Sequence, residues 1–381
     1  MSLDDSDLIG RMIRSRRESI AMTVAELAKA VGVSRNTITN YETGKTNPKT
    51  NELSKIASAL GSTLQELIGH TEIEPEPRFA FRAHQKTHRN PSVLATARSL
   101  LRSYQEIERI RGVNPRDGIE TFLQHFDEPI SERAIESLAE KVRESSGLVD
   151  QGPLNIAGVL EGLGVRCLFF KDDFQGLDGV SVVQGGMKLI MLPDRDYGIE
   201  RVIFSAAHEL GHLVLHPWIF SSDQIADGDS SRDYEKEANV FAGSFLVPSY
   251  DISLKWRDEK LNELDLIDSL LLLKQSFFVS IHCLYYRLKD LGLVESERPF
   301  LINNIKNRLG IRGAAKMKDL EPEPIASVSF NKNTRFERLV RSALLLDEIS
   351  VSKVAELLRI PLEDAIRAST TWRRNEKLLA R

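Results

Sequence analysis

Ala206-Ala-His-Glu-Leu-Gly-His-Leu-Val-Leu-His216 is the stretch on which the reading of this chain turns. In a helix, His208 and His212 stand one turn apart and about 40° round the axis, so both imidazoles face one point. Glu209 sits beside them, placed to hold a water rather than a metal ion. Two histidines four apart with a glutamate after the first form a zinc-hydrolase pattern. A zinc ion that acts on a substrate needs a third protein ligand and one open position. The surrounding residues Ile203, Phe204, Ala206, Ala207, Leu210, Leu213 and Val214 are apolar nearly all round, which predicts a buried helix over 201–216, closed by Pro217. Histidines on a buried helix need partners.

The flanks supply candidates. Upstream, VRCLFF, DGVSVV and KLIML read as three strands, the last two around the turn signal Gln184-Gly-Gly186. KLIML directly precedes the histidine helix, and it is expected to be the edge strand beside a protease site. Downstream, residues 218–231 read as loop and 232–247 as a helix closed by Pro248. The segment DYEKEANVFAGSFLVP offers Glu235 and Glu237 as the third ligand. Its apolar stripe is Tyr234, Ala238, Phe241, Ala242 and Phe245, and both glutamates flank it, roughly 80° to either side. The helical wheel leaves both open.

The N-terminus carries different chemistry. Residues 8–69 read as five short helices. Thr23-Val-Ala-Glu26 is a capping box, Gly32 stops the second helix, and Ser34 caps the third. Leu27, Ala28, Val33 and Ile38 point inward. Ser34, Arg35, Asn36, Thr37, Thr39, Asn40 and Lys45 form the candidate DNA-binding set. Arg35, Asn36, Thr39 and Asn40 project outward, with amides and a guanidinium that can reach base edges in a major groove. Arg14, Arg16, Arg17, Lys45 and Lys49 are candidates for phosphate contacts.

Two resemblances follow. LAKAVGVSRNTITNYETGKTNP resembles the Cro/cI-type (XRE) repressor domain, over residues 8–69. It departs from that family at Val24, where glutamine often anchors the DNA backbone. The block HELGHLVLH, followed by EKEANVFAGSFLVP, resembles the ImmA/IrrE family of zinc metallopeptidases, over residues 130–250. That resemblance implies zinc held by His208, His212 and Glu237, the glutamate just before Ala-Asn, with Glu209 as general base. His216 also matches a common family position, and packing beside the ligands is its expected role. Peptidase members of the family cut a repressor protein under stress, which relieves repression.

Composition sets the frame. The chain has 381 residues, enough for two to four domains. Its net charge of −4 excludes a generally basic nucleic-acid coat but not a local DNA-reading patch. The acidic N-terminus MSLDDSDLIG is no signal peptide. LDLIDSLLLL is broken by Asp265 and Asp268 and is too short to span a bilayer. Cys167 and Cys283 have no paired spacing, which suits a reducing cytoplasm and small buried hydrophobes. His84 and His88 lie in a polar stretch without nearby carboxylates or cysteines and read as a solvated face. Lys274–Val294 and Ile349–Ala368 each read as helix, turn, helix; further DNA-binding units, packing scaffold and dimerising elements are all open there.

The expected architecture is multidomain and mostly α. It comprises a five-helix head (1–69), a linker and helical connector (70–129), a central α+β zincin-like domain with a small sheet (130–250) and a helical C-terminal region (251–381). The expected protein is a cytoplasmic regulator that binds a double-stranded DNA operator as a homodimer and cleaves a repressor with Zn2+. The rivals are a regulator whose peptidase-like domain senses zinc or a ligand without cutting, and an antitoxin-like autoregulator.

Overall fold

Caps and left-handed residues punctuate the chain where the sequence puts them. The computed structural model describes residues 3–19, 22–62, 64–68, 78–79, 91–114, 118–123, 130–148, 152–170, 178–194, 198–220, 233–295, 297–313, 320–325 and 334–379. Five helices make the head: α1 (Leu3–Ser19), α2 (Val24–Val31), α3 (Arg35–Glu42), α4 (Thr50–Ala59) and α5 (Leu64–Ile68). The Glu26 N–H donates to Thr23 Oγ1 at 3.1 Å and the Thr23 N–H donates to Glu26 Oε2 at 2.8 Å, which completes the capping box. Gly32 closes α2 at φ 82°, a conformation that side chains disfavour. Ile13, Leu27, Ile38, Ile56 and Leu60 fill the head's interior with no exposed area. Gly10 lets α1 cross α3 closely, since a Cβ there would lie 2.4 Å from the Tyr41 carbonyl oxygen.

Two expected phosphate contacts are corrected. Arg16 and Arg17 are buried in the head. Arg17 grips Glu42 through two hydrogen bonds of 2.6 and 2.9 Å and donates a third to the Met22 carbonyl at 2.9 Å. Arg16 donates to Ser62 Oγ. A guanidinium so engaged holds α1 to its neighbours and cannot turn to a phosphate.

After the head come β1 (Arg78–Phe79), α6 (Pro91–Arg111), α7 (Glu132–Ser145), α8 (Ile156–Gly162), β2 (Arg166–Phe170), β3 (Val180–Gln184) and β4 (Met187–Pro193). Then follow α9 (Ile199–Leu215), α10 (Tyr234–Leu246), α11 (Ser249–Asp258), α12 (Leu266–Phe277), α13 (Ile281–Asp290) and α14 (Arg298–Leu309). The chain closes with α15 (Arg335–Leu345), α16 (Val351–Leu358) and α17 (Leu362–Leu379). Of the stretch read as a linker, only Arg78 and Phe79 are described, and they form β1; His84 and His88 lie outside the described residues. No single described helix is long and apolar enough to cross a membrane, and LDLIDSLLLL belongs largely to α12, with Leu270, Leu271 and Leu273 buried.

The sheet has the order β1-β3-β4-β2. β3 and β4 form a hairpin turned through Gly185 and Gly186, at φ 54° and 84°. β2 runs parallel to β4, and β1 antiparallel to β3. The expectation that KLIML is an edge strand is therefore wrong. β4 has a partner on each side, and all seven of its residues are buried. β3, which also lies beside the histidine helix, is likewise paired on both sides, by β1 and β4.

Each sheet face covers its own core. Cys167, Ile190 and Leu192 face α9 and α10, in a cluster that runs from Ile119 to Leu320. That cluster includes α12 and α13, so packing continues well past residue 250. On the other face, Leu168, Val180, Val182 and Leu189 meet α6, the head and the last three helices. Helix α6 joins these parts. Arg98 donates to the Leu60 and Gly61 carbonyls and to Ser19 Oγ of the head. Further along, Glu108 takes Arg166 of β2 at 2.7 Å, and the Tyr104 ring lies 5.2 Å from that of Phe336 on α15.

Candidate metal centre and DNA-reading face

Helix α9 and its C-cap, His216, present three histidines, and α10 crosses the helix closely. Gly211 makes the crossing possible: a Cβ there would lie 3.2 Å from Phe241 Cδ1 and 3.3 Å from the Ala238 backbone. Asp233 caps α10, accepting from the Lys236 N–H at 3.0 Å, so the helix begins at Tyr234 rather than at residue 232. The first turn therefore holds Glu235 and Glu237, where the helix dipole favours carboxylates.

The crossing uses both flanks of the apolar stripe. His208 Nε2 and His212 Nε2 lie 3.0 Å apart. Glu235 faces both, with Oε2 3.4 Å from His208 Nε2 and Oε1 3.5 Å from His212 Nε2. Ligand atoms of His208, His212 and Glu235 lie within 4.8 Å of one another. Glu237 goes elsewhere: its Oε2 lies 2.9 Å from His216 Nε2. The ligand set implied by family resemblance thus differs from the arrangement here. Glu235 joins the two histidines, and Glu237 pairs with the third one. The two carboxylates lie on opposite flanks, and His216 lies one helical turn beyond His212.

The rear nitrogens are held as well. His208 Nδ1 lies 2.9 Å from Asn239 Oδ1, and His212 Nδ1 lies 3.0 Å from His216 Nδ1. Asn239 stands four residues after Glu235, on the same flank of α10, so one helix face supplies both a carboxylate and the group that orients His208. That spacing is visible in the sequence. His212 is fully buried, and burial above all pushes its pKa down to about 4, which leaves a neutral imidazole at neutral pH. Two imidazoles and one carboxylate suit a divalent transition metal.

Glu209 lies under the sheet, 1% exposed. Ser181 of β3 donates its hydroxyl to Glu209 Oε2, a contact that sequence reasoning missed. Gly179 gives the glutamate room, since a Cβ there would sit 3.0 Å from Glu209 Cγ. The ring of His216 packs edge-on against Trp218 and Tyr234, at 5.5 and 5.0 Å between centroids. Cys167 and Cys283 are free thiols, and burial pushes the Cys283 pKa up to about 12.

In the head, α3 exposes Arg35, Asn36 and Thr39 and half-exposes Asn40, while Ile38 is fully buried. Ser34 caps α3, accepting from the Thr37 N–H at 3.1 Å, and the Ser34 and Thr37 hydroxyls lie 2.8 Å apart. Lys45 and Lys49 are exposed. The same supersecondary shape recurs in α15–α17. Ser350 caps an eight-residue helix, as Thr23 does, and Arg359 turns at φ 53° where Gly32 turns at 82°. Among the exposed positions in the first turns of α17 are Leu362, Glu363, Ile366 and Arg367.

Known proteins match both halves of this description. A helix-turn-helix family model matches residues 13–67, and the model for the IrrE N-terminal-like domain, a peptidase family, matches residues 160–289. The immunity repressor protein of Bacillus phage phi105 is 24% identical over 132 residues, which is 35% of this chain and 80% of that repressor. The solved structure of ComR from Streptococcus suis aligns over 96% of both chains at 13% identity, with a TM-score of 0.17 that supports no argument about fold. The chain joins an XRE-type helix-turn-helix domain at residues 13–67 to an IrrE/ImmA-like peptidase-type domain at residues 160–289.

Proposed function

We propose that the protein is a transcriptional regulator whose IrrE-like domain is a zinc-dependent endopeptidase, and that it relieves repression by cutting a repressor protein. The observation that carries this reading is the convergence of His208, His212 and Glu235 on one point, with Glu209 buried alongside. These three side chains would hold the ion. Zinc, when bound, polarises a carbonyl and lowers the pKa of water. Asn239 and His216 orient the two imidazoles. Glu209 holds the proton taken from the attacking water and passes it to the leaving amine, while Ser181 fixes one of its carboxylate oxygens. The head supplies address: α3 reads operator DNA through Arg35, Asn36, Thr39 and Asn40, and Lys45 and Lys49 lie on phosphates. The similarity to a phage immunity repressor supports a role at an operator.

A second reading is a zinc sensor that cuts nothing. The burial of Glu209 beneath Ser181 and Gly179 favours it, because a general base must meet its water. One experiment separates the two readings. Metal analysis of the purified chain should give about one zinc per chain, and repressors encoded beside the gene should be cleaved by it. Glu209→Gln should keep the metal and abolish cleavage. Zinc without cleavage of any repressor supports the sensor, and a chain that binds no zinc ends both.

A further inference from the structure

Helix α6, β2 and the β3–β4 hairpin enclose a cavity of about 620 Å³, and none of its lining residues belongs to α9 or α10. That volume is in the range of small-molecule sites. Its charge is lopsided. Glu108 of α6 lines it and takes two guanidinium groups, that of Arg166 at 2.7 Å and that of Arg335. Arg166 of β2 lines the cavity as well, with a side chain only 10% exposed. It spends Nε and Nη2 on Glu108, and among the described residues nothing meets its Nη1. A buried donor without a partner calls for one from outside the chain. Arg109 of α6 stands exposed at the rim, with no ionic partner among the described residues. Arg109, Arg166 and Arg335 against the single carboxylate of Glu108 leave two positive charges in excess. The amides of Gln105 and Gln184 also line the cavity, joined from α6 to β3 by a hydrogen bond of 3.1 Å.

We propose that this cavity is a ligand site for a small organic dianion, a phosphate monoester or a dicarboxylate, held by Arg109 and Arg166. Guanidinium groups match both kinds of oxyanion through charge-assisted hydrogen bonds. Arg109 offers its whole fork at the entrance, and Arg166 offers Nη1 from the floor. A dianion balances the two excess charges, while the glutamine amides present donors and acceptors to the neutral part of the ligand. Arg109 belongs to α6 and Arg166 to β2, so the bound ligand ties the sheet to the helix whose Arg98 grips the head. The site is independent of the metal centre and of any peptidase activity there.

The test is calorimetric titration of the full chain with AMP, with succinate and with adenosine, which has the bulk of AMP without its charge. A dianion should bind at one site per chain, and adenosine should not. Tighter binding of AMP assigns a phosphate monoester, and tighter binding of succinate a dicarboxylate. Arg109→Glu should weaken the binding by about tenfold or more, since it removes a charged donor that nothing in the fold uses. Val113→Trp fills the cavity without changing its charge and should block it. Circular dichroism melts show whether each variant keeps its fold. Arg35→Glu alters the DNA-reading face of α3 and should leave dianion binding as it was. Hydrogen exchange gives a second readout: the last turns of α6 should gain protection with the ligand, and not in Arg109→Glu. Dianion binding that survives Arg109→Glu or Val113→Trp, or that is lost in Arg35→Glu, overturns the proposal. So does adenosine binding as tightly as AMP, or neither dianion binding at about 10 mM.

Discussion

Glu235 and Glu237 stand two residues apart in one helical turn, yet their substitution should weaken zinc binding by different amounts. Glu235 faces both Nε2 atoms, whereas Glu237 meets His216, whose ring in turn meets His212. Structural zinc sites with four protein ligands bind with about 10–16 kcal/mol, so one ligand accounts for about 2.5–4 kcal/mol. Glu235→Ala should therefore weaken zinc binding by roughly 10²- to 10³-fold. Loss of a group that merely orients a ligand costs about 10- to 100-fold, or about 1.4–2.7 kcal/mol, and Glu237→Ala should fall in that range. Competition against a chelator of known affinity at pH 7 reads both variants on one scale, with circular dichroism melts of the metal-free proteins as the control for folding. The reverse ranking would return the ligand role to Glu237. Equal losses would refute the division of labour between the two flanks of α10.

Gly211→Val should push α10 off α9, because its Cβ starts only 3.2–3.3 Å from Phe241 and Ala238; a loss of about 1–3 kcal/mol of stability and weaker zinc binding are the expected results in the same two assays. Arg17→Ala strands Glu42 in the head, where both side chains are 6% exposed, and should cost about 3–5 kcal/mol, seen as lost hydrogen-exchange protection across α1–α5. Arg14→Ala, at an exposed pair with Glu18, should cost under about 1 kcal/mol in the same experiment. Arg35→Ala should cost about 1–3 kcal/mol at one base pair of the operator and leave other positions unchanged, which a panel of single-base operator variants would show.

Local signals carried the reading a long way, and they stopped where three-dimensional choice began. The caps at Thr23 and Ser34 and the left-handed Gly32 specify the head because each acts within four residues. His208 and His212 were legible for the same reason. The carboxylate that meets them was not, because Glu235 and Glu237 flank the stripe symmetrically and only the crossing of α9 over α10 brings Glu235 to the two histidines. Arg16 and Arg17 looked like surface charges because nothing in the sequence marks Ser62 and Glu42 as their partners. The misplaced edge strand is different, since its signal was present. Met187–Pro193 carries almost no polar residue to face water, which is the pattern of a strand covered on both faces and paired on both sides. A strand of two residues, like β1, leaves no periodicity to detect.

Helix α6 has 21 residues and so measures about 31 Å. Arg98 latches the head near its beginning, and Tyr104 and Glu108 clasp the rest of the molecule further along. The head therefore rides on a rigid strut rather than a swivel, and its angular phase is set by the count of residues between Arg98 and Tyr104. One inserted residue would rotate the head by about 100° and advance it by about 1.5 Å. If two copies bind one operator, as the proposed regulator would, a DNA helix that turns once in about 10 base pairs requires a fixed phase between their heads, and a half-site moved by half a turn would face away from its reader. In such a pair, operator spacing would follow from the length of α6.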